Sequence, residues 1–184
     1  KAYRVYTLIG DGECEEGQIW EAFMAASKYA LDNLCAIIDV NGLQIDGPTS
    51  VVMPSEPLDE KLEAFGFYVI RIDGHDYGQI FRALDEAAAT KGRPTAILAK
   101  TVKGKGVSFM ENVVEYHAKV PTGKLFEQAM QELDKTLKEL EEEDPALSFT
   151  WEEELKEIHV HVMGEVQMEI LKVLIRERFG LEIA

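Results

Sequence analysis

The sequence has few cysteines, no long hydrophobic run and little positive charge, and each shortage argues against a class of protein. Among its 184 residues there are 2 cysteines, Cys14 and Cys35. They have no paired spacing, which favours a reduced chain over a disulfide-bonded one. The apolar runs are too short to cross a bilayer, and no signal peptide precedes Tyr3. We therefore expect a cytoplasmic protein that does not bind membranes.

Basic residues are scarce relative to acidic ones. The chain carries 19 Lys and Arg against 34 Asp and Glu, a net charge of −15 at pH 7. An acidic surface repels phosphate backbones, so direct nucleic-acid binding is not expected. The best basic cluster is Lys103 with Lys105, which either meets a phosphate or lies on an exposed glycine-rich turn. An apolar content of 46% is enough for a packed core.

Strand and helix patterns alternate over the first two thirds of the chain. The hydrophobic periodicity predicts strands near 3–9, 34–40, 67–72 and 95–101, and helices near 17–31, 58–65, 77–91 and 123–142. Right-handed crossovers of this kind make the strands parallel. Asp76 is the expected N-cap of the third helix. The segment 41–57 contains several glycines and prolines and is expected to be irregular. The predicted fold class is α/β, a parallel sheet with flanking helices.

The remainder of the chain predicts a small α+β part. Strands are expected near 147–151 and 157–162, a helix near 163–178 and a short strand at 181–183, a split β-α-β-like arrangement. These strands either extend the parallel sheet or form a separate layer. His159 and His161 share one face of their strand, as a metal-binding pair or as an exposed pair.

Asp11 and Asn41 follow the first two predicted strands, each beside a glycine. If these strands are parallel neighbours about 4.8 Å apart, both side chains lie at the carboxyl edge of the sheet, where ligands bind in open α/β folds. Magnesium prefers oxygen ligands, and a carboxylate, an amide oxygen and a loop carbonyl such as that of Leu43 suit it. The arrangement indicates a magnesium-diphosphate site. The alternative is turn chemistry, because Asp-Gly and Asn-Gly are common in turns.

Several segments together resemble the thiamine diphosphate-binding half of transketolases, including split transketolases. They are residues 10–22, 31–34, 41–47, 72–76, 100–112 and 116–121, within roughly residues 1–130. The resemblance implies thiamine diphosphate and magnesium as cofactors, in the Gly-Asp-Gly motif of Gly10, Asp11 and Gly12. Asp11, Asn41 and the Leu43 carbonyl would hold the metal, and the Gly12 backbone would approach the diphosphate.

The same resemblance assigns roles to residues outside this motif. His117 matches a histidine near the diphosphate and the substrate, and it is the candidate catalytic residue. Glu16 and Glu21 match glutamates that link two cofactor sites across a dimer interface, with Glu16 also counted among the cofactor-binding residues. His75 lies in a turn, where a structural role is expected.

Two parts of a transketolase have no counterpart in this sequence. One is a stretch of about a hundred residues before the first strand. The other is the second half of the enzyme, which supplies the catalytic glutamate. We therefore expect no transketolase activity from the chain alone, and a transketolase carboxyl-terminal half would be needed for ketol transfer between sugar phosphates. A homodimer is expected, formed by an open sheet edge and the helix face of Trp20, Phe23 and Met24.

The segment from about 136 to 184 resembles part of domain III of elongation factor G and of the tetracycline-resistance ribosomal-protection proteins. It has an acidic helix followed by Asp144-Pro145, a strand pair, Met163-Gly164-Glu165 and a closing Phe179-Gly180-Leu181-Glu182. This resemblance leads to the hypothesis of a chimeric or engineered protein without catalytic activity. Its parts would be a transketolase-like segment at 1–122, a helical junction at 123–143 and a translation-factor fragment at 144–184. A ribosome-associated module is the third function considered.

Overall fold

In the computed structural model the chain is described at residues 3–143, 147–152 and 157–162, with side chains described at residues 3–135. It divides into two compact units. The first comprises residues 1–105 and 110–119, and the second comprises residues 106–109 and 120–184. The predicted helix at 163–178, the predicted strand at 181–183 and the side chains of His159 and His161 lie outside the described residues.

The first unit alternates strands and helices in the predicted order. Its elements are β1 (Val5–Gly10), α1 (Gly17–Lys28), β2 (Leu34–Val40), β3 (Leu43–Gln44), β4 (Gly47–Pro48), α2 (Thr49–Val52), α3 (Leu58–Ala64), β5 (Tyr68–Asp73), α4 (Tyr77–Ala89) and β6 (Thr95–Lys100). Short 3₁₀ turns occupy Glu13–Glu15 and Val114–His117. Four strands form one parallel sheet in the order β1-β2-β6-β5. The predicted α/β class with a parallel sheet and flanking helices is confirmed.

The register of this sheet aligns the carboxyl ends of neighbouring strands. Gly10 at the end of β1 is opposite Asp39 of β2, and Val40 of β2 is opposite Lys100 of β6. The residues that follow each strand therefore lie along one edge. Asp11 and Asn41, which come directly after this aligned region, are placed at that edge as predicted.

Each face of the sheet packs against helices. On one face, Ile38 of β2 and Phe67 belong to a buried cluster with Phe23 of α1 and Leu62 of α3. A second cluster joins Cys35 and Ile97 to Ala83 and Ala87 of α4. Both cysteines are free and buried, and burial raises the pKa of Cys14 to about 12 and of Cys35 to about 11. Both thiols are thus protonated near neutral pH and serve as core residues.

The first helix is shorter than its apolar pattern predicts. Its last residue is Lys28, and Ala30, two residues further on, adopts φ 44°. The Leu31 N–H returns to the Ala26 carbonyl at 3.0 Å, which closes the helix end. A left-handed residue normally marks this kind of ending, and it is usually a glycine. Because alanine occupies the position here, the sequence carries no signal of the stop.

The prediction that residues 41–57 are irregular is wrong for part of that segment. The strands β3 and β4 form a short antiparallel hairpin, and α2 adds one helical turn directly after it. Gly42 adopts φ 80° and Gly47 adopts φ 143°, conformations that favour glycine. The Thr49 N–H then donates to the Gly42 carbonyl at 3.0 Å. The glycines that suggested an irregular loop are the residues that allow this compact turn.

The second unit is a long helix followed by a strand pair. Helix α5 covers Lys124–Glu143, and β7 (Leu147–Glu152) pairs antiparallel with β8 (Glu157–Val162) in a sheet of their own. Of the two alternatives for these strands, the separate layer is therefore observed. Among the helices that the structure describes, none combines the length and the apolar character that a bilayer crossing requires.

Candidate functional site

Asp11 is a buried carboxylate at the point where β1 ends. Its side chain and backbone together are 2% exposed. One carboxylate oxygen, Oδ1, accepts the Gly12 N–H at 3.0 Å, and the other, Oδ2, accepts the Gly42 N–H at 2.6 Å. The backbone N–H of Asp11 donates to the Asp39 carbonyl at 3.0 Å, which extends the pairing of β1 with β2 by one residue. The carboxylate is therefore fixed between the loops that follow two neighbouring strands.

Asn41 lies at the end of β2 with both ends of its amide engaged. Its Nδ2 donates to Asp39 Oδ2 at 2.8 Å, and its Oδ1 accepts the Leu43 N–H at 3.0 Å. The amide oxygen is thus directed away from Asp39 and toward the loop that starts β3. The amide oxygen therefore lies beside the backbone of Leu43, whose carbonyl is the third oxygen ligand that the family resemblance implies for magnesium.

The environment of Asp11 raises the pKa of its carboxyl group above the ordinary value. The largest cause is the loss of hydration on burial, and the charges of Asp39 and Glu56 also raise this pKa. The backbone hydrogen bonds from Gly42 and Gly12 act in the opposite direction and lower it. None of the ion pairs in the described part of the chain involves Asp11. A buried carboxylate without a cationic partner is unfavourable, and a divalent cation at this position would supply the missing positive charge.

An open cavity of about 850 Å³ contains the predicted site residues. All seven residues expected from the sequence to bind the cofactor or the metal line it: Gly10, Asp11, Gly12, Glu16, Asn41, Leu43 and His117. His117 is exposed on its 3₁₀ turn. Their shared wall supports the predicted grouping, while the role of each residue stays a prediction. Glu21, by contrast, is exposed on α1 and does not line the cavity.

The charges around this cavity are strongly unbalanced. Its lining includes the carboxylates of Asp11, Glu13, Glu15, Glu16, Asp39 and Asp46. Lys103 is the one lysine among the lining residues, and the imidazole of His117 is a further nitrogen-bearing side chain of the wall. A diphosphate would be repelled by such a wall unless a divalent cation accompanied it. The donor set and the charge both fit a magnesium-bound diphosphate.

Gly12 forms a close contact that only glycine permits. A Cβ atom at this position would lie 2.7 Å from the Cβ of Gln44 in β3. Because glycine has no side chain, the Gly12 backbone is directly accessible at the cavity wall, beside the carboxylate of Asp11. A backbone without a side chain of its own allows a ligand such as a diphosphate to come close. This geometry fits the diphosphate contact that the family resemblance implies.

Asp39 and Thr101 are among the residues near the site that were not expected from the sequence. Asp39 lines the cavity and accepts hydrogen bonds from Asn41 and from the hydroxyl of Thr101. Asp39 does have a local signal, since it is a carboxylate at the carboxyl end of a buried strand. Thr101 has none, because its contact depends on β6 lying next to β2.

The expected dimer face on α1 is wrong for Phe23. Phe23 is 3% exposed and contacts Phe67 edge-on, with the ring centroids 5.2 Å apart. Trp20 packs between Phe23 and Phe65, and its Nε1 donates to the Cys14 carbonyl at 2.9 Å. These rings belong to the core of the first unit, and of the three residues Met24 is the one that is exposed, at 52%.

Comparison with known proteins agrees with the fold and with the site. The family described as "Transketolase, thiamine diphosphate binding domain" matches residues 2–166. A 6-deoxy-6-sulfo-D-fructose transketolase subunit of Clostridium sp. (strain MSTE9) is 47% identical over 131 residues, covering 71% of this chain and 48% of that protein. Transketolase of Homo sapiens is 42% identical over 132 residues, covering 72% of this chain and 21% of that protein.

A solved structure shows the same fold. The transketolase of Campylobacter jejuni superposes with a TM-score of 0.66 at 34% identity, over 72% of this chain and 21% of that one. One of the subunits of the apulose-4-phosphate transketolase from Phocaeicola vulgatus is 42% identical over 77% of this chain and 50% of its own length. The chain thus spans about half the length of the subunit relatives that it matches.

The family match also bears on the expected junction near residue 136. The matched range extends to residue 166. The comparisons give no support to a translation-factor segment, to a ribosomal role or to a chimeric origin. The buried Asp11 beside Asn41, the parallel sheet and the match over residues 2–166 agree with one another, and the chain belongs to the family of the transketolase thiamine diphosphate-binding domain.

Proposed function

We propose that this chain is the cofactor-anchoring part of a transketolase-type enzyme and binds thiamine diphosphate together with magnesium. The observation that carries the proposal is the pair of Asp11 and Asn41 at the adjoining ends of β1 and β2, with the carboxylate buried and without a cationic partner among the described ion pairs. The Gly12 and Gly42 N–H groups satisfy the two oxygens of this carboxylate as hydrogen-bond donors, but no described ion pair balances its charge.

The residues around this pair would contact different parts of the bound cofactor. Asp11, Asn41 and the Leu43 carbonyl would hold magnesium, and the Gly12 backbone would contact the diphosphate. Lys103 and His117 line the same cavity and would place positive charge and N–H donors near the phosphate oxygens. Glu16, exposed at the start of α1, is left at the rim, where a partner can reach it.

Thiamine diphosphate, when bound, supplies the carbanion-stabilising chemistry through which a ketol unit passes between sugars. This chain contributes binding and orientation to that chemistry. We propose that a complementary polypeptide part completes the site, since several relatives are named as transketolase subunits. Sugar phosphates are the proposed substrate class of the complete assembly. The chain alone is expected to show no ketol transfer above background.

Calorimetric titration of the purified chain tests the cofactor proposal directly. Thiamine diphosphate with excess magnesium should bind with a Kd on the order of micromolar, and chelation of magnesium should abolish the heat. Asp11→Asn removes the buried charge and should abolish magnesium-dependent binding. Asp85→Asn is the matched control, because Asp85 is exposed on α4 outside the cavity. A folded wild-type chain that gives no heat of binding with thiamine diphosphate and excess magnesium would refute the proposal.

A further inference from the structure

The segment 72–76, which spans the end of β5 and the turn after it, belongs to the family resemblance but contributes no residue to the wall of the cavity. It lies two strands away from the proposed metal ligands, because the sheet order is β1-β2-β6-β5. A chain of contacts nevertheless runs from this turn, through the end of β6 and the end of β2, to Asn41.

The first link is the carboxylate of Asp39, whose two oxygens have different partners. Oδ2 accepts Asn41 Nδ2 at 2.8 Å, and Oδ1 accepts the hydroxyl of Thr101. An amide offers donors at its nitrogen and acceptor positions at its oxygen. Asp39 holds the nitrogen end of the Asn41 amide while the Leu43 N–H donates to the oxygen end at 3.0 Å, so the oxygen is turned toward the loop.

The second link is Thr101, which is held on both of its side-chain branches. The methyl carbon Cγ2 faces Gly74, where a Cβ atom would lie only 2.5 Å from it. Gly74 does not have a positive φ, so space rather than backbone conformation requires glycine there. With the methyl group against Gly74, the hydroxyl branch is the one that reaches Asp39. The Thr101 N–H also donates to the Val40 carbonyl at 3.2 Å.

The third link attaches the turn to the chain on either side of Thr101. The Gly74 N–H donates to the Lys100 carbonyl at 2.7 Å. His75 Nε2 accepts the Val102 N–H at 2.8 Å, and the His75 N–H donates to Asp73 Oδ1 at 2.9 Å. The turn is therefore fixed to the residues before and after Thr101, and Thr101 has little freedom to rotate or withdraw.

We propose that Gly74, Thr101 and Asp39 form a buttress that positions the Asn41 amide oxygen for the metal. They are positioning residues, and this inference rests on the proposed binding of magnesium with thiamine diphosphate. Some side chains hydrogen-bond to a metal ligand without contacting the metal. Their loss commonly lowers metal affinity by about 10- to 100-fold. The turn 72–76 thereby acquires a function at a distance from the cavity.

Manganese serves as the metal probe, because free Mn²⁺ is counted by electron paramagnetic resonance in the presence of thiamine diphosphate. Thr101→Val keeps the shape and removes the hydroxyl, and it should weaken Mn²⁺ binding by about 10-fold. Thr101→Ser keeps the hydroxyl and should bind within about twofold of wild type. Thr95→Val is the control, because Thr95 is 1% exposed at the opposite end of β6. Equal affinities for wild type and Thr101→Val, or an equal loss in Thr95→Val, would overturn the proposal.

Gly74 provides a test of the steric link. Gly74→Ala should weaken Mn²⁺ binding by displacing Thr101, since the new methyl meets Cγ2 at 2.5 Å. The double variant Gly74→Ala with Thr101→Ser lacks Cγ2 and retains the hydroxyl, so part of the affinity should return. Rescue is expected to be incomplete, because the Ala99 Cβ and the Lys100 carbonyl oxygen remain 3.2 Å from the new methyl. A double variant weaker than Gly74→Ala alone would contradict this link.

A measurement without metal separates this inference from the proposed function. The Asn41 side-chain amide of the ¹⁵N-labelled chain should give a pair of well-separated, slowly exchanging proton signals, which collapse toward free-amide behaviour in Thr101→Val and persist in Thr95→Val. If wild type binds no Mn²⁺, the proposed function fails, while the amide signals still decide the buttress. Unchanged signals in Thr101→Val would disprove the buttress whatever the metal result.

Discussion

The Gly42 N–H donates to Asp11 Oδ2 across 2.6 Å, so the residue that ends one strand holds the loop that follows the next. Gly42 in turn accepts the Thr49 N–H at 3.0 Å, which places α2 directly behind the β3–β4 hairpin. One carboxylate therefore shapes the loop that carries Leu43 as well as standing as a metal ligand in the proposed site. A change at Asp11 affects both the donor set and the loop, which makes other positions better tests of individual contacts.

Gly12→Ala tests the close approach at the cavity wall. The new Cβ would lie 2.7 Å from Gln44 Cβ, so the 3₁₀ turn or the hairpin must shift. Titration calorimetry should show loss of magnesium-dependent thiamine diphosphate binding by at least about 10-fold. Gly17→Ala is the control, because a Cβ placed there would meet nothing within 4 Å beyond its chain neighbours and the backbone of its own helix. Wild-type affinity in Gly12→Ala would show that the wall can rearrange and that Gly12 does not determine the approach.

Lys103 and Lys105 separate the two interpretations of the basic cluster. Lys103 lines the cavity, whereas Lys105 is exposed and lies 3.8 Å from Glu111. Lys103→Gln should weaken binding of the magnesium-bound cofactor by about 10-fold and reduce its dependence on salt, because one charge-assisted contact is lost. Lys105→Gln should change the affinity by less than about twofold, since an exposed pair contributes little. Equal effects in titrations of the two variants would favour a general electrostatic contribution over a phosphate contact.

The positions of Asp11 and Asn41 at the strand ends were predictable from the sequence. The contacts made by residues from distant parts of the chain were not. The apolar runs before Asp11 and Asn41 predict two strands, and a single crossover between them makes these strands parallel, so local pattern suffices to bring the two residues together. The Asp39–Thr101 contact depends on β6 being inserted between β2 and β5, which no local pattern specifies. The burial of Phe23 likewise depends on α3 and Phe67, which pack on α1 from distant parts of the sequence.

We predict that the Asp76 carboxylate makes the stability of the fold depend on pH. The side-chain hydrogen bond from Gln79 and then the bond from its backbone N–H lower the pKa of Asp76. A folded-state pKa below the unfolded one contributes stability that is present above the ordinary pKa and is lost as the pH falls through the folded value. Asp76→Asn keeps an N-cap and should remove this part of the acid sensitivity. The difference in Tm between wild type and Asp76→Asn, followed from about pH 7 to about pH 3, should shift in favour of the variant at low pH.

The control for this measurement is Asp76→Ala, which removes the cap altogether. It should lower the Tm by a few degrees at neutral pH, because the Gln79 N–H loses its acceptor at 3.0 Å. A wild-type and Asp76→Asn pair whose Tm values stay parallel down to low pH would mean that Asp76 does not contribute to acid unfolding.

Of the two surfaces expected to form a homodimer, the edge of β1 remains exposed. Among the strands that the structure describes, β1 pairs with β2 alone, and its residues Tyr6 and Leu8 are 50% and 73% exposed. An apolar edge strand tends to pair with another chain, while the net charge of −15 opposes disordered aggregation. We therefore predict a defined dimer through this edge rather than through Trp20 and Phe23, which are engaged in the core.

Sedimentation at micromolar concentration distinguishes the outcomes for this edge. Leu8→Lys places a charge on the exposed edge and should convert the dimer into a monomer, since a charged side chain blocks edge-to-edge pairing. Tyr77→Lys is the matched control, because Tyr77 is 71% exposed on α4, away from β1, and it should leave the mass unchanged. A wild-type chain that sediments as a monomer would show that β1 does not recruit a second copy. A dimer that persists in Leu8→Lys would instead place the contact elsewhere on the chain, with the exposed Met24 on α1 as the next position to change.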